Sequence, residues 1–148
     1  MIKLGWVPAE TTFVNGRWQP NYGGGPGFTS TMWLEHSRGH TDHQWRSYSF
    51  DGDEEVARLL FTPTYSSHSD RRAPQALLLD TIEVRTDLQR SGAHIGQIVV
   101  EGLVDDYPNW EIYAGPTASS ARFWDEKLRW PRCECNNCDG RDFVVWRP

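Results

Sequence analysis

The chain has 148 residues, a hydrophobic fraction of 38% and a formal net charge of −5. That length suits one domain with a real core; no apolar run approaches the ~20 residues of a membrane span, and the acidic balance disfavours broad phosphate-backbone binding, which relies on dense Lys and Arg. Met1–Ile2–Lys3 runs straight into Gly5–Trp6–Val7 without the apolar stretch of a secretory leader, and three cysteines, an odd number, make no disulfide framework, so the expected setting is the cytoplasm.

Residues 1–28 read as an irregular, poorly helical N-terminal segment. Within it, Phe13-Val-Asn15-Gly16-Arg-Trp18 places an Asn-Gly turn between short alternating runs, a hairpin signal. The run Gly23–Gly27 is loop. Residues 29–84 read as a strand meander: Phe28–His36, Gln44–Phe50, Glu55–Thr62 and, after the polar loop Thr64–Arg72, Gln75–Val84. In the last of these, Leu77, Leu78, Leu79, Ile82 and Val84 fall on both faces, as in a central strand buried on both sides. His36, His40 and His43 are spaced closely enough to serve zinc, but their polar surroundings favour a solvated loop.

Residues 85–103 read as a loop followed by a helix. Ser91–Gly92–Ala93 is a small-residue turn, and Ile95, Ile98, Val99, Gly102 and Leu103 repeat at i, i+3, i+4, i+7 and i+8, one face of an amphipathic helix. The first turn of such a helix carries N–H groups without intrahelical acceptors and the positive end of the dipole, so a phosphate or pyrophosphate is a natural ligand. In residues 104–148, Tyr107-Pro108-Asn109 breaks the helix, Trp110–Tyr113 is a short strand, and Thr117 can cap a helix striped by Ala118, Ala121, Trp124 and Leu128. Asp142–Trp146 closes the chain as a strand. Cys133, Cys135 and Cys138 lie close enough to invite a metal, but the incomplete ligand set and the turn residues around them favour free cysteines in a hairpin turn.

From Val84 onward the chain resembles the GNAT superfamily of N-acyltransferases. The acyl-CoA loop of that family reads Val-x-x-x-x-Gln/Arg-x-x-Gly-x-Gly/Ala after the fourth strand; here the run is Val84-Arg-Thr-Asp-Leu-Gln89-Arg-Ser-Gly92-Ala-His94. The spacing holds through Gly92. His94 stands where Gly or Ala is usual, and Gly96 lies two residues on. A second stretch, Ala121-Arg-Phe-Trp124-Asp-Glu-Lys-Leu128-Arg-Trp130, resembles the late helix of the family, Ala-x-x-Phe-Tyr-x-x-Leu-Gly-Phe, with one residue inserted. Trp124 falls where many members have the tyrosine that protonates the departing CoA thiolate. The order of elements agrees from Thr29 to Trp146, although the usual helical pair between the first two strands is not evident.

The resemblance implies an α+β fold of the three-layer α/β type, a mixed, mostly antiparallel central sheet flanked by helices. It also implies acetyl-CoA as acyl donor, held by Ile82, Val84, Gln89, Arg90, Ser91, Gly92, Ala93, His94, Ile95 and Gly96, and a transfer to an acceptor amine on a small molecule or protein. Nucleic acid is not favoured as acceptor, no membrane is involved, and oligomerisation stays open. An amine must lose a proton to attack, and Glu83 and Asp80 are the carboxylates on the central strand; Glu83, nearer the loop, is the expected base. Their odd separation puts them on opposite faces unless a bulge intervenes. Tyr113 is the expected substitute acid. Two other classes remain open on the residues alone: a GNAT-like protein that has lost catalysis and binds a partner, and a zinc-supported binding module.

Overall fold

The computed structural model describes residues 4–22, 27–28, 43–50, 54–63, 73–89, 94–116, 120–134 and 143–148. The strand expected over Phe28–His36 lies, but for Phe28, outside them. So do His36, His40, Arg90, Ser91, Gly92, Ala93, Thr117, Cys135 and Cys138.

A six-stranded sheet runs in the order β1-β4-β5-β6-β7-β8, with β1 at Leu4–Pro8, β4 at Gln44–Phe50, β5 at Glu55–Thr62, β6 at Ala76–Val84, β7 at Glu111–Ala114 and β8 at Val144–Trp146. All neighbours are antiparallel except β6 and β7. A parallel pair needs a long crossover, and helix α1, Ile95–Asp106, supplies it between those two strands. This is the mixed, mostly antiparallel sheet that the resemblance implied.

The N-terminal segment expected to be irregular forms strands instead. β1 joins the sheet edge against β4, a partner distant in sequence and therefore invisible to local pattern. β2, Thr11–Val14, and β3, Arg17–Pro20, make the hairpin signalled by Asn15-Gly16. Both turn residues have positive φ, 53° and 78°, the geometry that matches the twist of two strands joined by a two-residue turn. Among the described residues, no helix lies between β1 and β4.

The apolar face of α1 packs on the core, with one correction to the expected stripe: Ile98 is exposed and Val100 is buried. Ile95, Val99, Val100 and Leu103 are buried and pack with Leu59, Phe61, Leu77, Leu79 and Ile112. Arg46 of β4 reaches the same side of the sheet. Its guanidinium lies 3.6 Å from the Trp6 ring centroid and pairs with Asp106, at the end of α1, at 2.8 Å. On the opposite face, Trp18 and Tyr22 cover Trp45 and Leu60. Among the described residues, no helix is long and apolar enough to cross a membrane.

Candidate active site

β6 contains an irregularity that sequence alternation alone does not show. Leu60 of β5 stands opposite Thr81, but Phe61 stands opposite Leu79, so Asp80 is an extra residue in the strand. A bulge of this kind resets the alternation of side chains. Leu77, Leu79, Ile82 and Val84 consequently all reach the core beneath α1, whereas Ala76 and Leu78 pack with Tyr113 on the other face. Asp80 is on that other face too, since it accepts a hydrogen bond from Thr62, the residue opposite Leu78, at 2.7 Å. Glu83, between Ile82 and Val84, faces the same way. The bulge therefore intervenes, and both carboxylates share one face.

β6 and β7 pair only from Ala76↔Glu111 to Leu79↔Ala114. β6 then continues for five residues, Asp80–Val84, with β5 on one side and no β7 on the other. This explains its burial: the first half is largely buried, while Asp80–Val84 is only partly covered. Among the described residues no strand pairs with this edge of β6 beyond Leu79, so its backbone can bond an extended ligand. Leu79–Asp80 lies at the vertex of this opening.

Beyond Val84 the chain makes a 3₁₀ turn over Thr86–Leu88. Gln89 turns back, its side-chain amide donating to the Val84 carbonyl at 2.8 Å. Thr86 is tied to the N-terminal part: its N–H and its hydroxyl donate to the Gly27 carbonyl at 2.9 and 2.6 Å. The Arg85 guanidinium, bonded to Asp87 at 2.7 Å, holds that carboxyl below its ordinary range. His94 caps α1 with φ 55° and ψ 37°, a left-handed backbone that only Gly adopts without cost. The first bond inside the helix runs from Ile98 N–H to the His94 carbonyl, and the first turn holds no acidic residue. Ile95 is buried beneath it. A Cβ on Gly96 would come 3.2 Å from Phe123 and 3.6 Å from Val84, so Gly96 permits the helix start to approach β6 closely.

Glu83 stands opposite Arg58. Arg58 is buried, stacks on Tyr22 and Phe28 at 4.5 and 4.0 Å, and pairs with Glu55 at 2.8 Å. Burial, and then the Glu55 carboxylate, push the Tyr22 phenol well above its ordinary value. Tyr113 is buried with its hydroxyl in the face opposite α1, one residue before the strands part. A hollow of about 360 Å³ opens beside Trp6, Trp18, His43 and Trp45. A second, of about 670 Å³, lies between Glu54, Arg85 and Asp87.

No family model matches the chain, and no curated protein matches it in sequence. Solved structures do match. The N-acetyltransferase YlbP of Bacillus subtilis, in complex with coenzyme A, superposes with a TM-score of 0.56 at 24% identity over 70% of this chain and 67% of its own. An AtaT mutant toxin bound to acetyl-CoA and to the C-terminus of its antitoxin AtaR gives 0.52 at 9% identity, over 70% and 67%. KacTA, solved with DNA, gives 0.51 at 10% identity, over 72% and 69%. The chain has the GNAT acetyltransferase fold.

Within the GNAT fold, the second motif takes an unusual helical form. α2, Phe123–Leu128, is a π-helix, closed by the Arg129 N–H donating to the Trp124 carbonyl. The turn there is widened from i+4 to i+5. Arg129, where the motif has Gly, is left-handed with φ 57°. Trp124 is buried against Phe123 and Trp130, at 5.1 Å from each ring. The Cys133 N–H donates to the Phe143 carbonyl beside β8.

The residues missed by sequence reasoning are those bonded to Asp80. Thr62 donates to it, and His43 Nδ1 lies 2.8 Å from the Thr62 hydroxyl. His43, the half-buried residue immediately before β4, is therefore tied to β5 instead of standing free in solvent. Its spacing from Asp80 in sequence carries no signal; strand register alone brings the three together.

Proposed function

We propose that this protein is an N-acetyltransferase that moves an acetyl group from acetyl-CoA to an acceptor amine. The parting of β6 from β7 in the strand whose following loop leads into α1 carries this reading. The pyrophosphate of the donor fits the unpaired N–H groups at the start of α1, with Gln89, Arg90, Ser91, Gly92, Ala93, His94, Ile95 and Gly96 around it. The pantetheine arm lies along the free edge of β6, bonded by the backbone about Ile82 and Val84. From Val84 back to Asp80 is four strand steps, roughly 13 Å at ~3.3 Å each, on the order of an extended pantetheine arm. The thioester then rests near the vertex of the opening.

An acceptor amine enters as an ammonium and must lose a proton before it attacks. Glu83 takes that proton, directly or through water. Nitrogen then bonds to the thioester carbon, the carbon–sulfur bond breaks, and Tyr113 is the donor assigned to the departing sulfur. Trp124 cannot fill that role, because an indole N–H donates a hydrogen bond but is a poor acid. The acceptor lies on a small molecule or a protein. One neighbour, KacTA, is solved with DNA, so the acidic net charge alone does not set nucleic acid aside.

Calorimetry with acetyl-CoA tests the reading. Binding is expected in the wild type and lost in Gly92→Glu, which sets bulk and negative charge where the pyrophosphate lies. Unchanged affinity in a folded Gly92→Glu protein overturns the assignment.

A further inference from the structure

We propose that Asp80 is a second catalytic carboxylate, the base that acts at the reacting carbonyl, and that Thr62 and His43 hold it in place. This rests on the acetyl-transfer reading of the same opening. Asp80 is the bulged residue of β6 and the first beyond its pairing with β7, so it stands at the vertex where the thioester rests. The bulge also turns it to the face that carries Glu83 and Tyr113.

The bonds to Asp80 have one consistent direction. The Thr62 hydroxyl has a single proton and gives it to Asp80 Oδ2 at 2.7 Å. It can then only accept from His43 Nδ1, at 2.8 Å, so Nδ1 carries the imidazole proton. His43 Nε2 is consequently a lone pair, and among the described residues that buried atom has no hydrogen-bond partner. A proton on Nε2 would instead turn Nδ1 into an acceptor, draw the Thr62 proton away from Asp80 and place a donor where the described residues offer it no acceptor. His43, immediately before β4, and Thr62 of β5 thus supply a chain of donors that ends on the Asp80 carboxylate of β6 and fixes its orientation.

Two carboxylates match the two protons of the reaction. The ammonium loses its first proton to Glu83, which returns it to solvent. The neutral amine attacks, and its nitrogen bears a second surplus proton as the carbon–nitrogen bond forms. Asp80 takes that proton. When the carbon–sulfur bond breaks, its electron pair leaves on sulfur, and the proton held by Asp80 passes to the sulfur directly or by way of the Tyr113 hydroxyl. The sum is one amide, one thiol and one proton released, with no oxidant or reductant.

Acetyl-CoA with water as acceptor isolates the Asp80 step, because water brings no first proton. Thiol release is measured alongside acetyl-CoA affinity by calorimetry. Asp80→Asn is expected to slow release at least tenfold with affinity within about twofold of wild type. Thr62→Val is expected to slow it severalfold at unchanged affinity, and Thr62→Ser to restore it. Nitrogen-resolved NMR is expected to find His43 protonated on Nδ1 in the wild type and shifted toward Nε2 in Thr62→Val. Unchanged release in Asp80→Asn overturns the proposal, as does binding of acetyl-CoA by the wild type with release no faster than in buffer, or His43 protonated on Nε2 in the wild type. Absence of acetyl-CoA binding overturns instead the reading on which it rests.

Discussion

Gly27 ties the N-terminal part of the chain to the loop after β6, and replacing it tests that connection. Its φ is +92°, and a Cβ there would lie 2.5 Å from Arg85 Cγ. Gly27→Ala faces two routes. If the segment stays docked, alanine must hold a backbone that costs roughly 1–3 kcal/mol, and Arg85 must retreat toward the ordinary ~3.5–4.0 Å carbon contact. That movement disturbs the ion pairs of Arg85 with Asp87 and Glu54, exposed pairs that contribute little. If the segment undocks, the two bonds from Thr86 to the Gly27 carbonyl are lost, at about 1 kcal/mol each. The cheaper route sets the cost. Gly27→Ala is therefore expected to destabilise by about 2 kcal/mol in urea denaturation and to lower Tm by roughly 4–8 °C, at ~2–4 °C per kcal/mol for a chain of this size. Acetyl-CoA affinity is expected to fall with it, because Thr86 opens the turn that leads to Gln89. Stability within about 0.5 kcal/mol of wild type, a margin typical of surface substitutions away from special features, would refute the reasoning.

Glu83→Gln is expected to lower kcat/KM for an amine acceptor by roughly two orders of magnitude, within the range of a well-placed base, while acetyl-CoA affinity holds; near-full activity would remove Glu83 from the mechanism. His94→Gly and Arg129→Gly each relieve a left-handed backbone costing roughly 1–2 kcal/mol and incur about 0.5–1 kcal/mol of glycine entropy. Each is expected to stabilise by about 0.5–1 kcal/mol in urea, and a loss of stability would count against the backbone assignment. Tyr22 and Tyr48 are both pushed up, in each case first by burial. A raised phenol contributes stability below its unfolded value near ~10, and that contribution is lost as pH climbs from there toward the folded value. Tm is expected to fall above about pH 10, and less steeply in the Tyr22→Phe, Tyr48→Phe double variant; a double variant as alkali-sensitive as wild type would contradict this.

Elements whose stability is written in local pattern were legible in the residues alone. The strand Glu55–Thr62 was bounded by its alternation, and β6 begins one residue later than expected. Of the helix stripe, Ile95, Val99 and Leu103 lie on the buried side of α1, whereas Ile98 is exposed and Val100 is buried in its stead. Asn15-Gly16 made its hairpin because few other residue pairs accept two positive φ angles in succession. The two motifs, read together, pointed to the fold that the solved structures share. What tertiary structure alone decided was pairing. β1 became a sheet edge because β4 was there to receive it. The bulge at Asp80 arose from the match of β5 to β6, and a one-residue shift in register moves every later side chain to the other face. That shift placed Asp80 and Glu83 on one face and brought Thr62 and His43 to Asp80, contacts between strands that no spacing along the chain encodes.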